Sequence, residues 1–225
     1  MGQPTKPRIS VLCSGSGTNL QALIDACQDG RIPGEIVKVS VNKAGVKSLE
    51  RAAKAGIPTD YFNMIKHGFR AAGEKDEQKK TEGRLKYDAA LAQRILADRP
   101  DLVVLAGFMH ILSTAFLDPM EQAGVPIINL HPALPGKYDG AGAIERAYAD
   151  FEAGKLENNT TGCMVHYVIA EVDRGAPIVI QEIVLQENER LESLIERTHD
   201  AEHGLIVKAA AKLCAEIAEK RATHK

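Results

Sequence analysis

The residues best suited to chemistry in this sequence are an amide and an imidazole two positions apart, Asn129 and His131, in the stretch Ile128-Asn-Leu-His-Pro132. An amide N–H can hold a carbonyl oxygen as negative charge develops on it, and an imidazole can exchange a proton with a leaving group or an oxyanion. The pair suits acyl transfer, although His131 taken alone reads equally well as a structural histidine. A carboxylate, Asp173, stands in the turn Glu171-Val-Asp-Arg-Gly175. If that turn folds back to the end of the Asn129 strand, the carboxylate raises the histidine's pKa, fixes its tautomer or accepts a proton through water. If not, it is an ordinary surface turn residue.

Near the start, Leu12-Cys-Ser-Gly-Ser-Gly-Thr-Asn-Leu-Gln21 sets Gly15 and Gly17 among hydroxyls, with Thr18 and Asn19 opening an amphipathic segment. Glycines let the backbone turn sharply with N–H groups inward, and a helix start adds unpaired donors and a positive dipole end. The stretch reads as a tight turn or as a phosphate cradle. It is not a dinucleotide fingerprint, because Leu20 stands where a third glycine belongs, and no Gly-Lys-Ser/Thr follows to make a Walker loop. There is no Gly-x-Ser-x-Gly elbow and no lysine isolated in apolar surroundings, so direct attack by a substrate's own nucleophile is favoured over a covalent enzyme intermediate. The seven histidines form no His-Glu-x-x-His or similar cluster, which speaks against a metal site.

To position these groups, short Val/Ile-rich runs alternate with segments of helical period. That alternation predicts an α/β fold of three layers, a mostly parallel twisted sheet of about seven strands with a Rossmann-like first half. Strands are expected over residues 9–13, 36–41, 58–62, 102–106 and 126–130, and helices over 19–27, 46–55, 85–98 and 143–151. Strands over 161–170 and 177–185 are joined by so short a turn that they must run antiparallel. A final helix over 190–220 is expected to break near Gly204. Residues 66–83, with Gly68, Gly73, Gly83 and a charge run, read as a mobile surface loop or lid, either a mere insertion or a segment that touches substrate, and residues 1–7 as a frayed tail.

With 225 residues, 44% of them apolar, the chain can bury a sizeable core and is read as one domain over 1–225. A formal net charge of -2 provides no field to recruit nucleic acid or anionic lipid, and no apolar run reaches the roughly 20 residues that cross a bilayer. Cys13, Cys27, Cys163 and Cys214 form no Cys-x-x-Cys pair. Their setting reads as reduced thiols in a cytoplasmic enzyme. Monomer and homodimer are both open.

Four stretches in order, Ser14–Gln21, Val103–Leu112, Ile128–Pro135 and Val165–Ile178, resemble the phosphoribosylglycinamide formyltransferase family of folate-dependent enzymes, and the resemblance spans residues 8–213. It implies a formyltransferase-like fold and transfer of the formyl group of 10-formyltetrahydrofolate, a co-substrate, to the amine of 5'-phosphoribosylglycinamide in purine biosynthesis, without a metal. It further implies Asn129, His131 and Asp173 as the catalytic trio, with His131 protonated while it stabilises the oxyanion. Acceptor binding falls on Gly15, Gly17, Thr18, Asn19 and Glu202. Folate contacts fall on Arg84, Met109, His110, Ile111, Leu112, Asn129, Val168, Ile169, Ala170, Glu171 and Asp173. The chain departs from the pattern at His110, where the family often has arginine, and at Ala133-Leu-Pro-Gly136 in place of Ser-Leu-Leu-Pro. Rival readings are a formyl-folate hydrolase, a formyltransferase for another amine such as aminoacyl-tRNA, for which the chain ends early, and a non-catalytic folate- or nucleotide-binding module.

Overall fold

The computed structural model describes residues 6–223. Its centre is a seven-stranded sheet of order β3-β2-β1-β4-β5-β6-β7. The strands are β1 (Arg8–Cys13), β2 (Glu35–Val41), β3 (Thr59–Tyr61), β4 (Leu102–Leu105), β5 (Ile127–His131), β6 (Thr160–Tyr167) and β7 (Pro177–Val184). The first five run parallel, while β6 is antiparallel to both of its neighbours. Parallel neighbours need crossovers, supplied by the helices α1 (Thr18–Gln28), α2 (Lys47–Lys54), α3 (Glu77–Ala97) and α4 (Thr114–Gln122). The helices α5 (Ala143–Glu152) and α6 (Leu191–Thr223) complete the layers.

The strict two-residue period of strands divides the core. Ile9, Val11, Cys13, Val104, Ile128, Leu130, Cys163 and Val165 face one cluster with α1 and α6. Leu12, Val103, Leu105 and Ile127 face the other with α3 and α4. By the same parity Asn129 and His131 share the face of Ile127, beyond the cover of α3 and α4. The register opposes Asn129 to His166 and His131 to Met164, so His166 joins that face.

All seven expected strands are present, with four differences in the elements around them. The segment expected to be a mobile loop over 66–83 is helical in its last seven residues, because α3 starts at Glu77. Asp76 caps it, its carboxylate accepting from Gln78 and Lys79 N–H at 2.9 and 3.2 Å. Gly83 lies inside the helix because a Cβ there would sit 2.2 Å from the Phe69 carbonyl oxygen, so it marks a close approach between segments. The helix α4 went unexpected. Pro119 lies inside it, yet Phe116 and Met120, one turn apart, are both fully buried. The final helix runs unbroken through Gly204, which is exposed between Ala201 and the buried run Leu205–Val207. The packed face outweighs the roughly 1 kcal/mol that glycine costs a helix. Last, β6 ends at Tyr167, and residues 168–170 leave the ladder after one more bond, Val168 N–H to Ile127 C=O at 2.9 Å. Of the expected tail, residues 1–5 lie outside the described residues, and the Pro7 carbonyl accepts from Glu35 N–H at 2.9 Å.

Candidate active site

The first loop leaves the carboxyl end of β1, one of the two central strands beside which strand order reverses, where open α/β sheets bind ligands. Gly17 is the N-cap of α1 with φ +71°, and a Cβ there would lie 2.8 Å from the Ser48 Cβ. Both conformation and space therefore demand glycine. Gly15 has open space around it. Ser14 ties the loop to two others. Its N–H donates to the Gly107 carbonyl at 3.0 Å, and its Oγ donates to Asn42 Oδ1 and accepts from Met109 N–H, each at 2.8 Å. The first turn of α1 carries no acidic residue. A pocket of about 290 Å³ opens here, lined by residues 14–19 together with Lys43, Gly107 and Met109. Backbone donors, hydroxyls, a helix N-terminus and the Lys43 ammonium are the groups that an anion would need. Sequence reasoning missed Lys43, an exposed cation with no signal of its own.

Glu202 reaches this end from α6. It is buried, and burial pushes its pKa up to about 7, against the hydrogen bond from Asn19 that lowers it. The structure thus brings Asn19 and Glu202 together from opposite ends of the chain.

At the tip of β5 the expected trio meets. Asn129 Nδ2 lies 3.4 Å from Asp173 Oδ1, and His131 Nδ1 lies 3.5 Å from Asp173 Oδ2. Asp173 sits in the left-handed region, φ +56°, a conformation that Asp tolerates better than most residues. Its carboxylate accepts the Gly140 N–H at 2.8 Å. The turn is pinned by Arg174, whose Nε donates to Asp139 at 2.7 Å. Gly175 is required because a Cβ there would lie 1.7 Å from the Tyr167 carbonyl oxygen.

Burial works to raise the Asp173 pKa, but the neighbouring His166 ring, the Gly140 N–H and the charges the two histidines can carry outweigh it and hold the carboxyl below its ordinary value. For His131 burial wins over the Asp173 charge, and its pKa lies below the ordinary histidine value. Burial thus disfavours an imidazolium while the site is empty, and the expected protonated ring belongs to the moment when the oxyanion develops. Its two nitrogens nonetheless face two acceptors, Asp173 Oδ2 and the Lys137 carbonyl at 3.4 Å. A proton arriving on the ring finds a partner at either end.

His166, absent from the sequence expectations, completes the cluster. It is 2% exposed, with Nε2 3.3 Å from Asn129 Nδ2 and 3.5 Å from Asp173 Oδ1. An imidazole alternating with the apolar Cys163 and Val165 was the available signal, but only the strand register sets it opposite Asn129.

Beside β5, Leu105 pairs with Asn129, so the segment leaving β4 begins next to the amide. Met109 is 69% and Ile111 53% exposed, and Ile169, past the end of β6, 43%, apolar surface that a ligand could cover. Leu112 is turned into the core. Arg84 donates to the Ile111 carbonyl, and His110 Nε2 lies 2.6 Å from Asp88 Oδ1. Asp88, fully buried, also accepts the Ser113 N–H at 2.8 Å. It fixes the segment and was missed, although a carboxylate on the apolar face of α3 is a readable anomaly. A cleft of about 560 Å³ runs along Leu117, Ile127, Val168, Ile169 and Ala170, while Glu171 is exposed at the turn.

The free cysteines offer no nucleophile. Burial pushes the thiols of Cys13, Cys163 and Cys214 up to about 12. No group of three or more metal-ligating side chains occurs among the described residues.

A Rossmann-like half sheet with a glycine loop at the end of its first strand is thus joined to an antiparallel half, where an amide, two imidazoles and a carboxylate meet. The chain belongs to the formyl transferase family, whose sequence model matches residues 7–210. It is 48% identical over 201 residues to the phosphoribosylglycinamide formyltransferase of Schizosaccharomyces pombe, covering 88% of this chain and 93% of that one. The enzyme of the same name from Saccharomyces cerevisiae is 42% identical over 212 residues, 92% of this chain and 96% of the relative. The crystal structure of glycinamide ribonucleotide transformylase 1 from Symbiobacterium toebii superposes with a TM-score of 0.78 at 32% identity, covering 96% and 90% of the two chains.

Proposed function

We propose that this protein transfers the formyl group of 10-formyltetrahydrofolate to the amine of 5'-phosphoribosylglycinamide, giving the N-formyl ribonucleotide and tetrahydrofolate. The observation that carries this reading is the meeting of Asn129, His131 and Asp173 at the β5 tip, with both contacts to the carboxylate within 3.5 Å. The relatives named above support the choice of reaction.

The acceptor's phosphate sits on Gly15, Gly17, Thr18 and Asn19 with the Lys43 charge beside it, and Glu202 takes the ribose. The folate lies along Met109, Ile111 and the residues from Val168 to Asp173, with Arg84 and His110 toward its tail. Both substrates are thereby held with amine and formyl carbon adjacent, which removes much of the entropic barrier to their meeting. The neutral amine attacks the formyl carbon, and a C–N bond forms as the carbonyl electrons move onto oxygen. The second N–H of Asn129 holds that oxygen. His131, neutral at the outset, takes up the proton shed by the attacking nitrogen, and Asp173 stabilises the imidazolium. The proton then passes to the folate nitrogen as its bond to carbon breaks. The cytoplasm, the compartment of soluble purine synthesis, is the expected setting, and no helix among the described residues is long and apolar enough to cross a membrane.

Incubation of the purified protein with 10-formyltetrahydrofolate, with and without the ribonucleotide, tests the reading. Formylated ribonucleotide and tetrahydrofolate should appear together and only when both substrates are present. Folate release at the same rate without acceptor would instead identify a hydrolase.

A further inference from the structure

We propose that His166 is a positioning residue for this transfer: its Nε2 lone pair accepts a hydrogen bond from the Asn129 amide and fixes which end of that amide faces the formyl oxygen. The inference rests on the reading that Asn129 receives that oxygen.

An asparagine side chain has two ends of nearly equal shape and opposite polarity. With the nitrogen end toward the formyl oxygen it stabilises the oxyanion, and with the oxygen end there it repels it. Something in the site must choose between them. His166 Nδ1 lies 2.8 Å from the Tyr167 carbonyl oxygen, an acceptor with no proton to give, so Nδ1 carries the ring hydrogen. In the neutral ring Nε2 is then an acceptor, and of its two polar neighbours, Asn129 Nδ2 at 3.3 Å and Asp173 Oδ1 at 3.5 Å, only the amide has a hydrogen to give. The amide nitrogen's other polar neighbour among the described residues is also an acceptor, Asp173 Oδ1 at 3.4 Å. One amide hydrogen is held between them, which leaves the second for the substrate. A flipped amide would set its oxygen against two lone-pair groups.

Asp173 does not suffice for this task. Its other oxygen already takes the Gly140 N–H at 2.8 Å and faces His131 at 3.5 Å, and an imidazolium forming on His131 draws the carboxylate further to that side. At that moment His166 is the acceptor that still holds the amide. The tautomer itself depends on Gly175, since any Cβ at that position would displace the Tyr167 carbonyl.

The test compares the wild type with His166→Leu and His166→Gln. Glutamine offers a carbonyl oxygen close to the Nε2 position, whereas leucine fills the buried space without an acceptor. His166→Leu should lower kcat by about 20-fold or more with each KM within about threefold of wild type, and His166→Gln should recover most of that loss. A leucine variant that turns over like the wild type, or a glutamine variant no better than leucine, overturns the proposal. Nitrogen-15 NMR of the wild-type imidazole decides the matter even where a variant does not fold. The single hydrogen of the neutral ring is expected on Nδ1, and the opposite tautomer, or a ring that carries both hydrogens, overturns the proposal. Should the wild type make no formylated ribonucleotide at all, the functional reading fails instead, and the NMR tautomer still decides the orientation of the amide.

Discussion

Replacing Asp173 with asparagine removes one charge while keeping the size of the side chain and its acceptor for the Gly140 N–H. Asn also tolerates the left-handed backbone at this position. What disappears is the attraction between the carboxylate and the imidazolium that forms on His131, whose Nδ1 lies 3.5 Å from Asp173 Oδ2. With an effective dielectric of roughly 20, two unit charges at that separation attract by about 5 kcal/mol. Sharing of the carboxylate with His166 and Gly140, and the solvent at the turn, leave about 2–4 kcal/mol specific to the transition state. Turnover should therefore fall roughly 30- to 1,000-fold. The KM for the ribonucleotide should hardly move, because the residue 14–19 loop is untouched. Initial rates at saturating concentrations of both substrates measure this, with a thermal melt to confirm the fold. A kcat within about threefold of wild type in a folded variant would refute the assignment of Asp173 as the group that supports the proton on His131. The sign of the stability effect follows from the depressed carboxyl pKa. The wild type gains stability at pH values above that of an unfolded aspartate, about 3.9, and loses it as pH falls through the lower folded value. The asparagine variant should thus be the less stable protein at neutral pH, with the gap closing in acid.

Gly17→Ala should lower the melting temperature by several degrees, since the left-handed backbone costs about 1–2 kcal/mol before the clash with Ser48 is added, and should raise the acceptor KM more than it lowers kcat. Gly15→Ala, with open space around it, is the control and should leave the melt nearly unchanged. Glu202→Gln should stabilise the ligand-free protein at pH 8. A carboxyl raised to about 7 by burial contributes stability that is complete below the unfolded value and is lost as pH rises through the folded one, on the order of 3 kcal/mol in all. Urea titrations at pH 5 and pH 8 should show the difference only at the higher pH. Ile111→Ser should raise the KM for the formyl donor while leaving that for the ribonucleotide alone, and equal changes in both would remove Ile111 from the donor side.

The sheet was readable because buried parallel strands must be runs of Val, Ile and Leu, as in Leu102–Leu105. The start of α3 was not, because its first turns are solvated and stabilised by the Asp76 cap and pairs such as Lys80 with Glu77, which leave no apolar period. The short helix α4 was not readable either, because it holds Pro119 and only two fully packed positions, Phe116 and Met120. In the site, Asn129 announced itself as an amide in an apolar strand. Asp173 was a candidate from its turn, but only the family resemblance favoured a site role over a surface one, since nothing local shows where a turn will fold. His166 and Asp88 act through partners remote in sequence, and only strand register and helix packing reveal those partners.

The last helix of this protein lies on its first, and the Asn19 amide meets the Glu202 carboxyl across that seam. A nascent chain cannot close this seam until α6 has been synthesised and docked, so the surroundings of the residue 14–19 loop stay unfinished throughout elongation however early β1 and α1 form. A ligand bridging the two helices would act as a clasp across nearly the whole polypeptide, resisting complete unfolding more than local fraying. Its occupancy should be felt by amide protons far from the reacting carbon.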